Sequence, residues 1–210
     1  MKRSFGNIVY SVWDLFWIVL GRATSTVSSK ISLKLQGCSF GKGFSTTGGC
    51  SFKARKKKSI SVGDKVTLLA GWRSNRVGLS GRVLLQTMGD GRIEMGEGSG
   101  GSSVTISARS EVLIGRNVCL GGNVKILDHD YHALNPAERR LPMKEQESMI
   151  RSAPIRIGDD VFVGTNAIIL KGVTIGERSM VAAGAVVFRG DYPPDCIIAG
   201  NPAAVVRTKN

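Results

Sequence analysis

The chain has 210 residues, a formal net charge of +13, 27 glycines and only 6% aromatic residues. That length gives one domain with a sizeable core, and the composition suits narrow coils with tight corners better than a sandwich or a doubly wound sheet. The charge points to anionic ligands or acidic lipid, whereas nucleic acid is excluded because no recognition motif and no aromatic interleaving accompanies the basic residues.

Residues 1–30 differ from the remainder. Lys2 and Arg3 precede an apolar stretch from Ile8 to Leu20 that contains Tyr10, Trp13, Phe16 and Trp17. The stretch is too short for a bilayer span, which takes about 20 residues. Asp14 and the Gly21-Arg22-Ala23 context argue against a cleaved signal. The segment reads as a short helix that covers one end of the domain or lies at a membrane interface, with Trp13 and Trp17 one turn apart.

A basic run follows at Lys53-Ala54-Arg55-Lys56-Lys57-Lys58. It is either a solvated turn or an anion-attracting patch. Between residues 31 and 113 a six-residue period is loosely visible, as in Val62-Gly63-Asp64-Lys65-Val66-Thr67. Gly98 to Gly101 reads as a corner within the glycine-rich stretch from Gly96. It lacks the lysine and the following helix of a phosphate loop.

The period then sharpens. Ile114, Leu120 and Ile126 are six residues apart, and so are Ile157, Val163, Ile169, Ile175, Val181 and Val187. Small or β-branched residues sit four positions later at Val118, Val124, Val161, Ala167, Val173, Ser179 and Ala185. Six is three strand periods and not a helical multiple. A chain that turns the same corner after each short strand forms a parallel β-helix with a continuous aliphatic column. The register is lost only over residues 127–154, where both histidines lie, His129 and His132. The expected organisation is a segment 1–30, a β-helix over 31–192 with one ejected loop at 127–154, and a tail over 193–210. Cys38, Cys50, Cys119 and Cys196 form no CxxC pair and no metal spacing, so free thiols in a reducing compartment and no metal site are expected.

Three elements resemble the hexapeptide-repeat acetyltransferases, and within them the maltose and galactoside acetyltransferase branch. They are the hexads from Ile157 to Val187, the closing Ile198-Ala199-Gly200-Asn201-Pro202-Ala203, and the loop Asp128-His129-Asp130-Tyr131-His132-Ala133-Leu134-Asn135-Pro136. The likeness covers residues 90–207 well and 60–90 loosely. It implies an all-β, left-handed parallel β-helix that assembles as a homotrimer, with acetyl-CoA as cosubstrate bound between subunits. It also implies a loop histidine as general base. His132-Ala133-Leu134-Asn135-Pro136 matches the family pattern His-Pro-Leu-Asp-Pro, which favours His132; His129 is the alternative. Glu147, with Glu145 as competitor, would orient that base. Pantetheine would contact Gly164, Thr165, Ala183 and Gly184. Arg207 would meet the CoA phosphates, with Lys171 and Arg189 as further candidates. Asn123, Asp128, Asp130 and Phe162 fall on the acceptor side. The family often has Trp where this chain has Phe162, so an indole N–H is missing there.

Those roles fit direct acetyl transfer. A histidine of ordinary pKa about 6.5 is neutral and basic enough to take a hydroxyl proton as the oxygen attacks the thioester. A backbone N–H would stabilise the oxyanion. The resemblance implies an O-acetyltransferase acting on a saccharide in surface-polysaccharide or lipopolysaccharide assembly. The expected location is cytoplasmic, with peripheral contact to the membrane through residues 1–30. The alternatives are N-acetylation of a nucleotide-linked amino sugar and a non-catalytic β-helix scaffold.

Overall fold

Three hexads make one turn of the chain, and each hexad lays one short strand on one of three faces. Ile157 pairs with Ile175, Val163 with Val181 and Ile169 with Val187, so ladder partners stand 18 residues apart. The computed structural model describes residues 5–71, 74, 75, 77, 78 and 81–208, with side chains only from Val19 onward. Among these, strands stack into sheets of seven, eight and six, here faces A, B and C. Every ladder is parallel except the last on face B, where Ala203–Thr208 turns back against Cys196–Gly200.

The hexad residues and their fourth-position partners all point inward and are buried, forming one core along the axis. Each fully buried Leu, Ile or Val contributes about 1.5–3 kcal/mol. The corners repeat as strictly. The third residue after each aliphatic takes positive φ: Asp160 (56°), Asn166 (59°), Gly172 (74°), Arg178 (58°) and Gly184 (71°). Gly, Asn and Asp tolerate that region best, which explains their recurrence at this position. The glycine directly after the aliphatic has a different cause. A Cβ on Gly158 would lie 2.6 Å from the Glu177 backbone nitrogen, and one on Gly164 would lie 2.5 Å from that of Ala183. Successive corners are too close for a side chain.

The N-terminal helix α1 spans Phe5–Leu35 and is long, not short, running past residue 30 to the edge of the first coil. The side chains of Trp13 and Trp17 lie outside the described residues. The second half of α1 covers the open start of the solenoid. Thr26 Oγ1 donates to Thr46 O (3.0 Å) and accepts from Thr46 N–H (2.9 Å), Ser25 Oγ donates to Gly48 O (2.7 Å), and Gln36 bridges Phe52 O and Ala54 N. Polar side chains of the helix thus satisfy a strand edge that would otherwise expose unpaired backbone groups. Among the described residues no helix is long and apolar enough to cross a membrane.

Two boundaries differ from the sequence expectation. The wall of face B continues beyond residue 192, because Cys196–Gly200 stacks on Met180–Val181. The loop at 127–154 also has a smaller companion. Leu68 pairs with Gly101, 33 residues on, and most of the excess falls in the connection from Thr67–Leu69 on face B to Val83–Thr87 on face C. No hexad marks that insertion, so the period alone gave no sign of it.

Candidate active site

The loop emerges where face C turns into face A. Its neck is short and tied by backbone bonds: Asp130 N–H to Arg151 O (3.2 Å), Ala153 N–H to Asp128 O (2.9 Å), and an antiparallel bridge between His129 and Ser152. Two one-turn helices fill the loop, α2 (Pro136–Arg139) and α3 (Met143–Gln146). Asn135 caps the first by accepting from Ala137 N–H at 2.9 Å. Gln146 is buried and donates to Arg139 O (3.1 Å) and Leu141 O (2.7 Å). No motif or spacing marks Gln146 for this organising role.

The neck holds a buried polar cluster. Asp128 is fully buried, and its carboxylate accepts from Arg109 N–H and Ser110 N–H, both at 2.7 Å, and faces His129 Nδ1 at 2.9 Å. An ionised carboxylate only accepts, so Nδ1 carries the proton and Nε2 holds the lone pair. That Nε2 is buried, with no hydrogen-bond partner among the described residues. The Tyr131 ring lies 4.3 Å from the imidazole, and the Tyr131 hydroxyl accepts from Gln86 Nε2 at 3.0 Å. Asp130 forms an ion pair with Lys171.

His132 is placed differently. It is exposed and opens onto a cleft of about 370 Å³ whose walls include Arg55, Arg109, Tyr131, Met143 and Glu147. Arg109 Nη2 donates to the Glu147 carbonyl, tying the coil edge to the loop. The cleft therefore brings together His132, Tyr131 and Glu147 of the loop with Arg55 and Arg109, which reach it because their coils stack. Glu145 lies exposed on α3.

Other expected residues fall elsewhere. Asp128 is sealed in the neck and cannot contact an acceptor. Lys171 is engaged by Asp130 at the C–A edge, whereas Gly164, Thr165, Ala183 and Gly184 cluster at the B–C edge. There Thr165 Oγ1 donates to Gly122 O at 2.7 Å, and Asn123 Nδ2 to Asn166 Oδ1 at 3.3 Å. Within one chain Lys171 and the group of Gly164, Thr165, Ala183 and Gly184 therefore lie at different edges of the solenoid. Phe162 stands on the outer side of face B, 41% exposed, between Cys119 and Met180. Arg207 lies exposed on the returning strand opposite Ile197.

A family model described as the hexapeptide repeat of succinyl-transferase matches residues 154–189, the most regular coils. In these coils the chain is similar to the hexapeptide-repeat acetyltransferases. It is 34% identical over 110 residues to galactoside O-acetyltransferase of Escherichia coli K12, covering 51% of this chain and 49% of that one. Among solved structures it is similar to a hexapeptide-repeat acetyltransferase of Vibrio cholerae O1 complexed with acetyl coenzyme A. The TM-score is 0.55 and the identity 25%, over 87% of this chain and 76% of that one. An N-acyltransferase of Bacillus cereus in complex with dTDP-4-amino-4,6-dideoxyglucose and coenzyme A shares the fold at TM-score 0.65 and 17% identity, over 86% and 89% of the two chains. The sequence matches span less than half the length of the first three curated relatives. The solenoid is a left-handed parallel β-helix, the fold of the structures it resembles.

Proposed function

We propose that this protein transfers the acetyl group of acetyl-CoA to a saccharide hydroxyl, with His132 as the general base. The observation that carries the reading is an exposed imidazole at the mouth of a cleft built by the one long loop of a hexapeptide-repeat solenoid. A base must come within hydrogen-bond reach of the proton it takes. His132 meets that requirement at the cleft, whereas His129 is sealed on both ring nitrogens by the neck. Glu147 on the same cleft wall supplies a carboxylate to orient the imidazole and stabilise its cationic form.

In this reading acetyl-CoA lies along the B–C edge past Gly164, Thr165, Ala183 and Gly184, with its phosphates toward Arg207. The acceptor enters beside His132, with Phe162, Asn123 and Asp130 further along its path. The acceptor oxygen attacks the thioester carbonyl, its proton passes to His132, and the thiol of CoA leaves with a proton returned by that residue. The sites form between subunits of a homotrimer. Outward apolar columns on face B (Phe162, Met180, Ile197) and face C (Ile168, Val186) support such an assembly, because face A presents Glu94, Arg156, Thr174 and Asp191 at the equivalent positions. Assembly of surface polysaccharide at the cytoplasmic side of a membrane is the role proposed for the product, and it gives α1 a peripheral lipid contact.

Incubation of the purified chain with acetyl-CoA and a panel of sugars and nucleotide-sugars, read as free thiol released and acetyl ester formed, tests the reaction. Ester formation on a hydroxyl is expected. Products that are all amides would favour N-acetylation of an amino sugar instead, and absence of both thiol release and CoA binding would leave a scaffold.

A further inference from the structure

The cleft that holds His132 has a floor the proposed reaction does not use. It extends from the loop down the C–A edge past Arg109, Met88 and Thr87 to Arg55, which belongs to the first coil and its basic run. The residues proposed for CoA sit at a different edge and in later coils. In the proposed reading this leaves the Arg55 end to the acceptor. Lys56 in the same turn pairs with Asp90. No carboxylate among the described residues forms an ion pair with Arg55, and its backbone N–H, donating to Thr87 Oγ1 at 2.9 Å, fixes the turn against the cleft wall. Arg109 is held by its backbone N–H on Asp128 and by Nη2 on the Glu147 carbonyl, and it lines the same cleft. Glu147 supplies one opposing charge at the far wall, beside His132.

We propose that the acceptor is an anionic saccharide, whose phosphate or carboxylate is held by Arg55 with Arg109 while a hydroxyl reaches His132. The guanidinium fork suits both oxyanions, often in bidentate geometry. Two sources share this chemistry, a glycosyl phosphate or diphosphate and a hexuronate-type sugar. The inference rests on the acceptor reading of the cleft but has its own binding test.

The full-length chain is titrated by calorimetry with matched sets of neutral hexoside, hexose 1-phosphate and hexuronate, as wild type, Arg55→Gln and Lys57→Gln. Lys57→Gln removes one charge of the same run from a residue that does not line the cleft. At least one anion is expected to bind tenfold more tightly than the neutral sugar, with Arg55→Gln abolishing that preference and Lys57→Gln keeping it. Whichever anion shows the preference identifies the source. Equal affinity for neutral and anionic sugars in the wild type would overturn the proposal. So would equal losses in the two variants, which would mean diffuse attraction to a basic chain. In turnover assays with acetyl-CoA the same ratio is expected in kcat/KM. Retained anion preference in binding with no acetyl transfer would sink the transferase reading alone.

Discussion

Asp128 Oδ1 lies 2.9 Å from His129 Nδ1, and backbone N–H groups of Arg109 and Ser110 hold the same carboxylate at 2.7 Å. This buried pair ties the loop neck to the coil below and leaves His132, three residues on, at the cleft. Removing this carboxylate would leave the Arg109 and Ser110 N–H groups without a partner in the neck, and each unsatisfied group costs about 1–3 kcal/mol. Asp128→Ala is therefore expected to lower the midpoint of chemical unfolding markedly. His132→Ala should leave that midpoint nearly unchanged and reduce kcat/KM by about 10²–10⁴-fold, the range for loss of a general base. His129→Gln should follow the stability pattern, and its remaining activity should keep the wild-type pH profile. A His129→Gln enzyme that folds normally and yet has lost activity as fully as His132→Ala would reverse the assignment.

Close approach of the corners gives a second expectation. Gly158→Ala would force a methyl to 2.6 Å from the Glu177 backbone nitrogen. Overpacking of this kind costs about 1–3 kcal/mol. Gly21 sits within α1 with nothing near its added Cβ. Alanine there should stabilise the protein by about 0.5–1 kcal/mol through helix propensity. Thermal unfolding of the two variants should move in opposite directions.

The solenoid was legible because its period repeats in chemistry as well as in spacing. From Ile157 to Val187, side-chain size, the glycine at the corner and the Asn or Asp at positive φ all recur together. The early coils were dimmer because insertions at the C–A edge and in the connection from Thr67–Leu69 to Val83–Thr87 shift the register without changing which residues face inward. The site divided along the same line. His132 and Glu147 belong to one loop, and the resemblance named both. Arg55 and Arg109 lie 54 residues apart in sequence and meet only because their coils stack at one edge. Lys171 looked free in sequence, since its partner Asp130 sits across the loop insertion.

Cys50 supplies a pH expectation. Burial pushes its thiol from 9.0 up to about 11, against smaller opposing hydrogen bonds from Thr46 and from Ser25 of α1. The folded state thus favours the neutral thiol. Its contribution is complete below pH 9 and is lost as pH rises from 9 toward 11, where the unfolded chain ionises first. The loss should amount to about 2 kcal/mol by pH 11. Unfolding free energies measured across that window should fall more steeply for wild type than for Cys50→Ala. Alkylation of Cys50 at pH 8 should be about 100-fold slower than for an ordinary exposed thiol.

The last expectation concerns α1. While one side of its second half bonds to the first coil, the other exposes Val19, Leu20, Val27, Ile31 and Leu35. Ala23, Thr24, Val27, Ser28 and Ile31 outline a shallow apolar groove. Helix spacing places Leu20, Val27 and Ile31 along one stripe, bordered on one side by Lys30 and Lys34 and continuous in sequence with the apolar stretch that begins at Ile8. An apolar stripe with basic neighbours fits the boundary of an anionic bilayer. The chain should therefore co-sediment with vesicles rich in phosphatidylglycerol and much less with phosphatidylcholine vesicles. The double variant Val27→Ser, Ile31→Ser should weaken that binding several-fold at unchanged secondary structure, because neither side chain takes part in the helix contacts that cap the solenoid. Binding that disappears in 0.5 M salt but ignores the double variant would mean attraction by net charge alone, and α1 would then be a cap with no lipid role.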